Sequence, residues 1–148
     1  MGKRTRETEG RYRRIVATGT FDLIHPGHIF YLKKAKELGD ELFVIVARDK
    51  TLPCNPIILE KQRKKVINSI EYVDKAILGS EKDKLDPIRK TKPNILVLGP
   101  DQKWDKSKVQ KWVNRELEFE VKVKKVKEYK DCDLCSTSEI IEKIKKNY

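Results

Sequence analysis

The two histidines of this chain, His25 and His28, flank Pro26 and Gly27 and follow directly on Gly19, Thr20, Phe21, Asp22, Leu23 and Ile24. Imidazoles donate hydrogen bonds to phosphate oxygens, and a glycine between them lets backbone approach the same anion closely. Pro26 suits the first turn of a helix, where its missing N–H removes no bond. The run therefore predicts a helix whose unpaired N-terminal amides and dipole also favour a phosphate. Two other readings exist. The glycines could be turn residues with the histidines as caps, and a His-x-x-His pair could bind zinc, although zinc prefers carboxylate or thiolate neighbours that are missing here.

Such a loop needs a strand before it and a helix after it. Residues 15–18 form a short β-branched run that stops at Gly19, and this reads as a first strand. Ile29, Leu32, Ala35 and Leu38 then mark one helical face until Gly39. Residues 42–47 are almost unbroken apolar sequence, as in a parallel strand covered on both faces. Residues 48–56, with Pro53, Pro56, Asn55 and Cys54, read as a loop.

The alternation continues to the end of the chain. A helix over 59–70 places Leu59, Val66, Ile67 and Ile70 on one face and Lys61, Gln62, Arg63, Lys64 and Lys65 on the other. Strands follow at 73–78 and 95–98, with a short helix at 86–90 between them. A helix at 109–117 precedes an edge strand at 119–126, and Ser136 or Thr137 caps a last helix running to Lys145. The pattern predicts an α/β fold: a Rossmann-like, doubly wound, five-stranded parallel sheet in three α/β/α layers. We expect a single domain over 13–148, preceded by a disordered extension over 1–12 that has little to bury.

Composition narrows the partners. At 148 residues the chain can bury a core without disulfides or metal. A net charge of +11 attracts anions, namely nucleotides, phosphorylated substrates or nucleic acid. With 39% charged residues of both signs, much of it also suits a heat-adapted surface. The lysines over 122–130 come with no nucleic-acid-binding motif or stacking-aromatic pattern, so nucleic acid is not expected as a partner. No stretch reaches the ~18 apolar residues of a membrane span, and the charged N-terminus is unlike a secretory signal, so we expect a cytoplasmic protein without membrane contact. Cys54, Cys132 and Cys135 are an odd count and are expected as reduced thiols. The spacing of Cys132 and Cys135 leaves structural thiols, active-site thiols or half a zinc site open.

With His25, Pro26, Gly27 and His28 after the first strand, the chain resembles the cytidylyltransferase-like nucleotidyltransferases, whose hallmark is His-x-Gly-His at that place. The resemblance extends through residues 33–40, Gln62-Arg63-Lys64, residues 71–74, Leu98-Gly99-Pro100-Asp101 and Ser136-Thr137-Ser138. Within that family it is most similar to the archaeal FAD synthases, in residues 45–49, 76–80 and 97–102. The resemblance implies transfer of AMP from ATP to FMN with release of pyrophosphate. Similarity to the glycerol-3-phosphate cytidylyltransferases is looser. Those favour Trp where Pro26 stands, Gly-Asp-Asp-Trp near Gly99, and Arg-Thr-Glu-Gly where this chain has residues 131–135. CTP with an alcohol phosphate is the alternative substrate pair.

Ligands of open parallel sheets bind outside the carboxyl ends of the strands, which selects the expected site. His25 and His28 bind the triphosphate and stabilise the transition state, with Pro26 and Gly27 between them. Thr20 and Phe21 hold the nucleotide by backbone or hydroxyl contacts, and Lys50 and Arg63 neutralise phosphates. The resemblance gives Asp101 the ribose or base. Ser136, Thr137 and Ser138 bind phosphate or cap the last helix, and Tyr129 lines the site. A divalent cation, Mg²⁺ by expectation, accompanies the phosphates, and small relatives suggest a homodimer.

Overall fold

A computed structural model describes residues 11–100, 102–127 and 132–148. The elements are β1 (Arg14–Gly19), α1 (Pro26–Lys36), β2 (Glu41–Val46), α2 (Glu60–Asn68), β3 (Lys75–Leu78), α3 (Asp86–Thr91), β4 (Ile95–Leu98), α4 (Lys106–Glu116), β5 (Lys122–Lys125) and α5 (Thr137–Asn147). A 3₁₀ turn, Asp49–Thr51, interrupts the loop after β2. The five strands form one parallel sheet in the order β3-β2-β1-β4-β5. This is the expected doubly wound α/β fold.

Period-two alternation of side chains divides the core between the two faces of the sheet. Ile15, Ala17, Val44, Val46 and Val97 pack with Leu32 and Ala35 of α1 and Ile67 of α2. Val16, Ile45, Leu96 and Leu98 face the other way, toward Ile88 of α3 and Val109 and Val113 of α4. Both faces being covered is why β2 and β4 read as continuous apolar runs.

Several element bounds shift from expectation, β3 for instance beginning at Lys75 and α4 at Lys106, and two of the shifts are instructive. Residue 59 caps α2 instead of belonging to it, and Leu59 and Val66 are exposed, so the buried side of α2 is made by Arg63 and Ile67. The edge strand spans only 122–125, because its partner β4 supplies a ladder from Ile95 to Leu98 and no further. Of the expected extension, only Arg11 and Tyr12 are described, both exposed, and the rest lies outside the described residues. No helix among the described residues is long and apolar enough to cross a membrane.

The strand order reverses at β1, which pairs with β2 on one side and β4 on the other. The β1–β4 ladder ends at Ala17 and Val97. Beyond it the strands diverge and would leave backbone groups unpaired. Tyr31 of α1, buried at 5% exposure, fills the gap: its hydroxyl accepts from the Thr18 N–H at 3.2 Å and lies 2.8 Å from the Thr18 carbonyl and 3.0 Å from that of Val97. The crevice at this switch point is where the fold presents a ligand.

Candidate active site

The loop from β1 to α1 is held in a shape few sequences allow. Phe21 is 2% exposed and has φ of 57°, the left-handed region that L side chains rarely adopt. Its ring folds back over Gly19, where an added Cβ would stand 2.6 Å from the ring. Gly19 is therefore required by close approach. The Phe21 ring also lies 5.4 Å from that of His28, so the side chain supports the histidines from below and leaves its backbone for a ligand. Asp22 fixes the far side, its carboxylate accepting the backbone N–H groups of Ile57 and Ile58 at 2.9 and 2.8 Å.

His25 and His28 close the start of α1 on each other. The His25 Nδ1 accepts the Gly27 N–H at 3.2 Å, and the His28 Nδ1 accepts the His25 N–H at 3.3 Å. The rings stack with centroids 3.8 Å apart. Because each Nδ1 serves as an acceptor, each neutral ring carries its proton on Nε2, as a donor. Burial, reinforced by the neighbouring His25 charge, pushes the His28 pKa down to about 4. At neutral pH His28 is an uncharged donor.

The first turn of α5 comes alongside. A Cβ on Gly27 would meet the Cys135 carbonyl oxygen at 3.2 Å, so the two helix N-termini approach through a residue without a side chain. Ser136 caps α5, its hydroxyl accepting the Glu139 N–H at 3.1 Å and standing 3.3 Å from the Ser138 hydroxyl. Thr137 and Ser138 follow in the first turn. Cys132 and Cys135 are joined as a disulfide just before the cap, with Cα atoms 5.6 Å apart. This corrects the expectation of reduced thiols, the separation being an ordinary one for a disulfide. Cys54 is free and exposed.

Arg63 has a different task from the one expected. It is 1% exposed, and its guanidinium donates to the carbonyls of Ile58 at 2.7 Å, Thr20 at 2.7 Å and Ala47 at 2.9 Å, and to the Asp49 carboxylate at 2.6 Å. Such a group has no face left for a phosphate. It ties the β1–α1 loop to the end of β2 and positions the site from beneath. Asp49 and Glu60 exchange backbone-to-carboxylate bonds of 2.7 and 3.2 Å across the same loop. Burial opposes ionisation of Asp49, but Arg63, the Glu60 N–H and Arg48 outweigh it and hold the carboxyl below its usual range. Lys50 stays an exposed cation on the 3₁₀ turn. Asp101 and Tyr129 lie outside the described residues.

A cleft of about 310 Å³ opens on the opposite side of Gly19. Its walls come from the ends of β1 to β4 and include Thr18, Thr20, Arg48, Gly79, Gln102 and Trp104. The Gln102 side-chain oxygen accepts the Gly99 N–H at 2.6 Å, and its nitrogen bonds the Thr18 hydroxyl at 3.1 Å. Arg48 is held by Glu60 and Glu81 at 3.1 and 3.7 Å. Sequence reasoning assigned Thr20 to the site but gave no site role to Arg48, Gly79, Gln102 or Trp104, although all four follow strands and the same strand-end rule points to them. Among the described residues no three His, Cys, Asp or Glu side chains cluster so as to hold a metal ion.

The sequence and fold that carry this arrangement have counterparts among known proteins. Residues 16–143 match the family model described as Cytidylyltransferase-like. The chain belongs to this family. A relative named FAD synthase from Archaeoglobus fulgidus is 48% identical over 138 residues, covering 90% of this chain and 98% of its own length. The FAD synthase of Methanosarcina mazei is 47% identical over 137 residues, or 91% and 90% of the two chains. Among solved structures, the lipopolysaccharide core biosynthesis protein of Thermoplasma volcanium superposes with a TM-score of 0.76 at 43% identity, covering 80% of this chain and 98% of that one. The family match spans the histidine motif and the cleft residues alike.

Proposed function

We propose that this chain is an FMN adenylyltransferase, a FAD synthase, which transfers AMP from ATP to FMN and releases pyrophosphate. The observation that carries the reading is the set of relatives named FAD synthase, 44–48% identical over 88–91% of the chain. In the reaction a phosphate oxygen of FMN bonds to the α-phosphorus of ATP. The bond from that phosphorus to the bridging oxygen breaks, and its electron pair leaves with pyrophosphate.

A phosphate monoester, with a second pKa of about 6, is already anionic at neutral pH, so the step needs no general base. It needs two anions aligned and the growing charge stabilised. The Nε2–H groups of His25 and His28 and the first-turn amides of α1 suit that work. Thr137 and Ser138 are further donors, Thr20 holds the nucleotide, and Lys50 adds an exposed cation. Asp101 toward the ribose or base and Tyr129 along the wall belong to the same proposal. A divalent cation, Mg²⁺ by expectation, enters as part of the nucleotide substrate, held by phosphate oxygens and water with few protein ligands. We assign the protein to the cytoplasm, where ATP and FMN are found.

The test is a matrix of ATP and CTP against FMN and glycerol phosphate, read by pyrophosphate release and product mass. We expect turnover with ATP and FMN, giving FAD. Turnover confined to CTP with glycerol phosphate would replace this reading with the other transferase one.

A further inference from the structure

Gly19 separates two regions of different chemistry at the top of the sheet. On one side stand His25 and His28 and the start of α5, which offer N–H and O–H donors. On the other, over the face covered by α3 and α4, the cleft offers the hydrocarbon of Ile45, Ile88 and Leu96 and the indoles of Trp104 and Trp112. Two of its polar side chains are committed, Gln102 to Gly99 and Thr18, and Arg48 to Glu60. Trp104, by contrast, is 36% exposed, an indole left in contact with water at the mouth of an apolar hollow.

Such a lining suits a planar heteroaromatic ring. An indole stacks on any π face, and a hydrocarbon floor rewards removal of that ring from water. A polyol phosphate would strip water from these walls and receive little in return. At about 310 Å³ the cleft lies at the lower end of the ~300–1,000 Å³ range of ligand pockets, room for a ring system but not for a whole dinucleotide. The rim is cationic: the Lys84 Nζ stands 5.3 Å from the centre of the Trp104 ring, and neither Lys84 nor Lys103 pairs with a carboxylate among the described residues.

We infer that this cleft is the acceptor subsite, taking the isoalloxazine ring of FMN against Trp104 and Trp112. The acceptor phosphate then reaches over Gly19 and Thr20 to the α-phosphorus presented by the histidines. The inference rests on the FMN adenylyltransferase reading and adds which residues select the acceptor. The donor nucleotide stays on the α1 and α5 side, so the two substrates enter from opposite faces of the sheet and meet at the switch point. Trp104 and Trp112 are specificity residues that touch the ring and take no part in the chemical step.

The test uses Trp104→Ala and Trp104→Phe in the full chain, with thermal melting as a control for folding. FMN and ATP are varied separately in a pyrophosphate assay, and FMN fluorescence quenching is measured without ATP. Stacking contacts of this kind predict a rise of about tenfold in KM for FMN in Trp104→Ala, a change of under about twofold for ATP, and parallel loss of quenching. Trp104→Phe recovers most of the loss. Folded variants with unchanged KM for FMN, or with the rise in KM for ATP instead, overturn the inference while leaving the activity standing. Wild-type protein that releases no pyrophosphate from ATP with FMN overturns the activity. Trp104-dependent quenching would then still support a flavin-binding cleft, and its absence would remove that too.

Discussion

Replacing His28 by Asn should make the protein less sensitive to acid. In the folded chain the ring is buried against Phe21 and stacked on His25, which lowers its pKa to about 4. In the unfolded chain it titrates near 6.5. Between those values the unfolded state binds a proton that the folded state refuses, so stability falls as pH drops through 6.5 and the loss is complete near 4. The whole shift corresponds to about 3 kcal/mol, of which about 2 kcal/mol is lost between pH 7.5 and pH 5. Asn at 28 carries a side-chain oxygen for the His25 N–H and has no proton to gain. Urea unfolding followed by circular dichroism at pH 7.5, 6.5, 5.5 and 5.0 measures both proteins, with His25 retained in each. The wild type should lose about 2 kcal/mol more than the variant over that interval, at equal m-values. Equal losses would mean that His28 is not held neutral by the fold, and the donor tautomer derived from its contacts would fall with it.

Further outcomes follow from the contacts of His28 and of Arg63. His28→Ala should lower kcat by about 10²-fold or more while far-ultraviolet circular dichroism is unchanged, since a preorganised donor to a developing charge is removed. In the wild type the acid limb of kcat/KM should then lie near pH 6, where the acceptor phosphate protonates, and not follow His28. Arg63→Met should destabilise the chain by about 3 kcal/mol or more, as read by urea midpoint, because the carbonyls of Ile58, Thr20 and Ala47 lose their buried donor at about 1–3 kcal/mol each. Arg63→Lys should restore little of this, one ammonium being unable to reach the four acceptors that the planar guanidinium spans.

What the sequence revealed and what it hid have a common physical origin. Apolar runs and helical spacing report burial against regular elements, so the parallel sheet and its helices were legible from Ile15 to the cap at Ser136. The same signal misled at the edge. Val121 and Val123 are buried and Phe119 packs against the α4 side of the core, which produces the alternation, but strand pairing depends on a partner, and β4 begins only at Ile95, opposite Lys122. Alternation measured contact with α4 there, not hydrogen bonding.

Arg63 exposes the limit more sharply. Hydropathy assigns a guanidinium to water, yet at position 63 it stands one helical turn before Ile67, on the face that meets the sheet. What buries it is a need outside its own helix: the carbonyls of Thr20, Ala47 and Ile58 end their segments without ladder partners and require donors in a dry place. The periodic position was visible in the sequence, whereas the orphaned acceptors were not, because they are made by three segments converging at strand ends. The residues that build an active site of this fold from behind are read from the backbone groups they satisfy, and a charged residue in phase with an apolar face is the place to look for one.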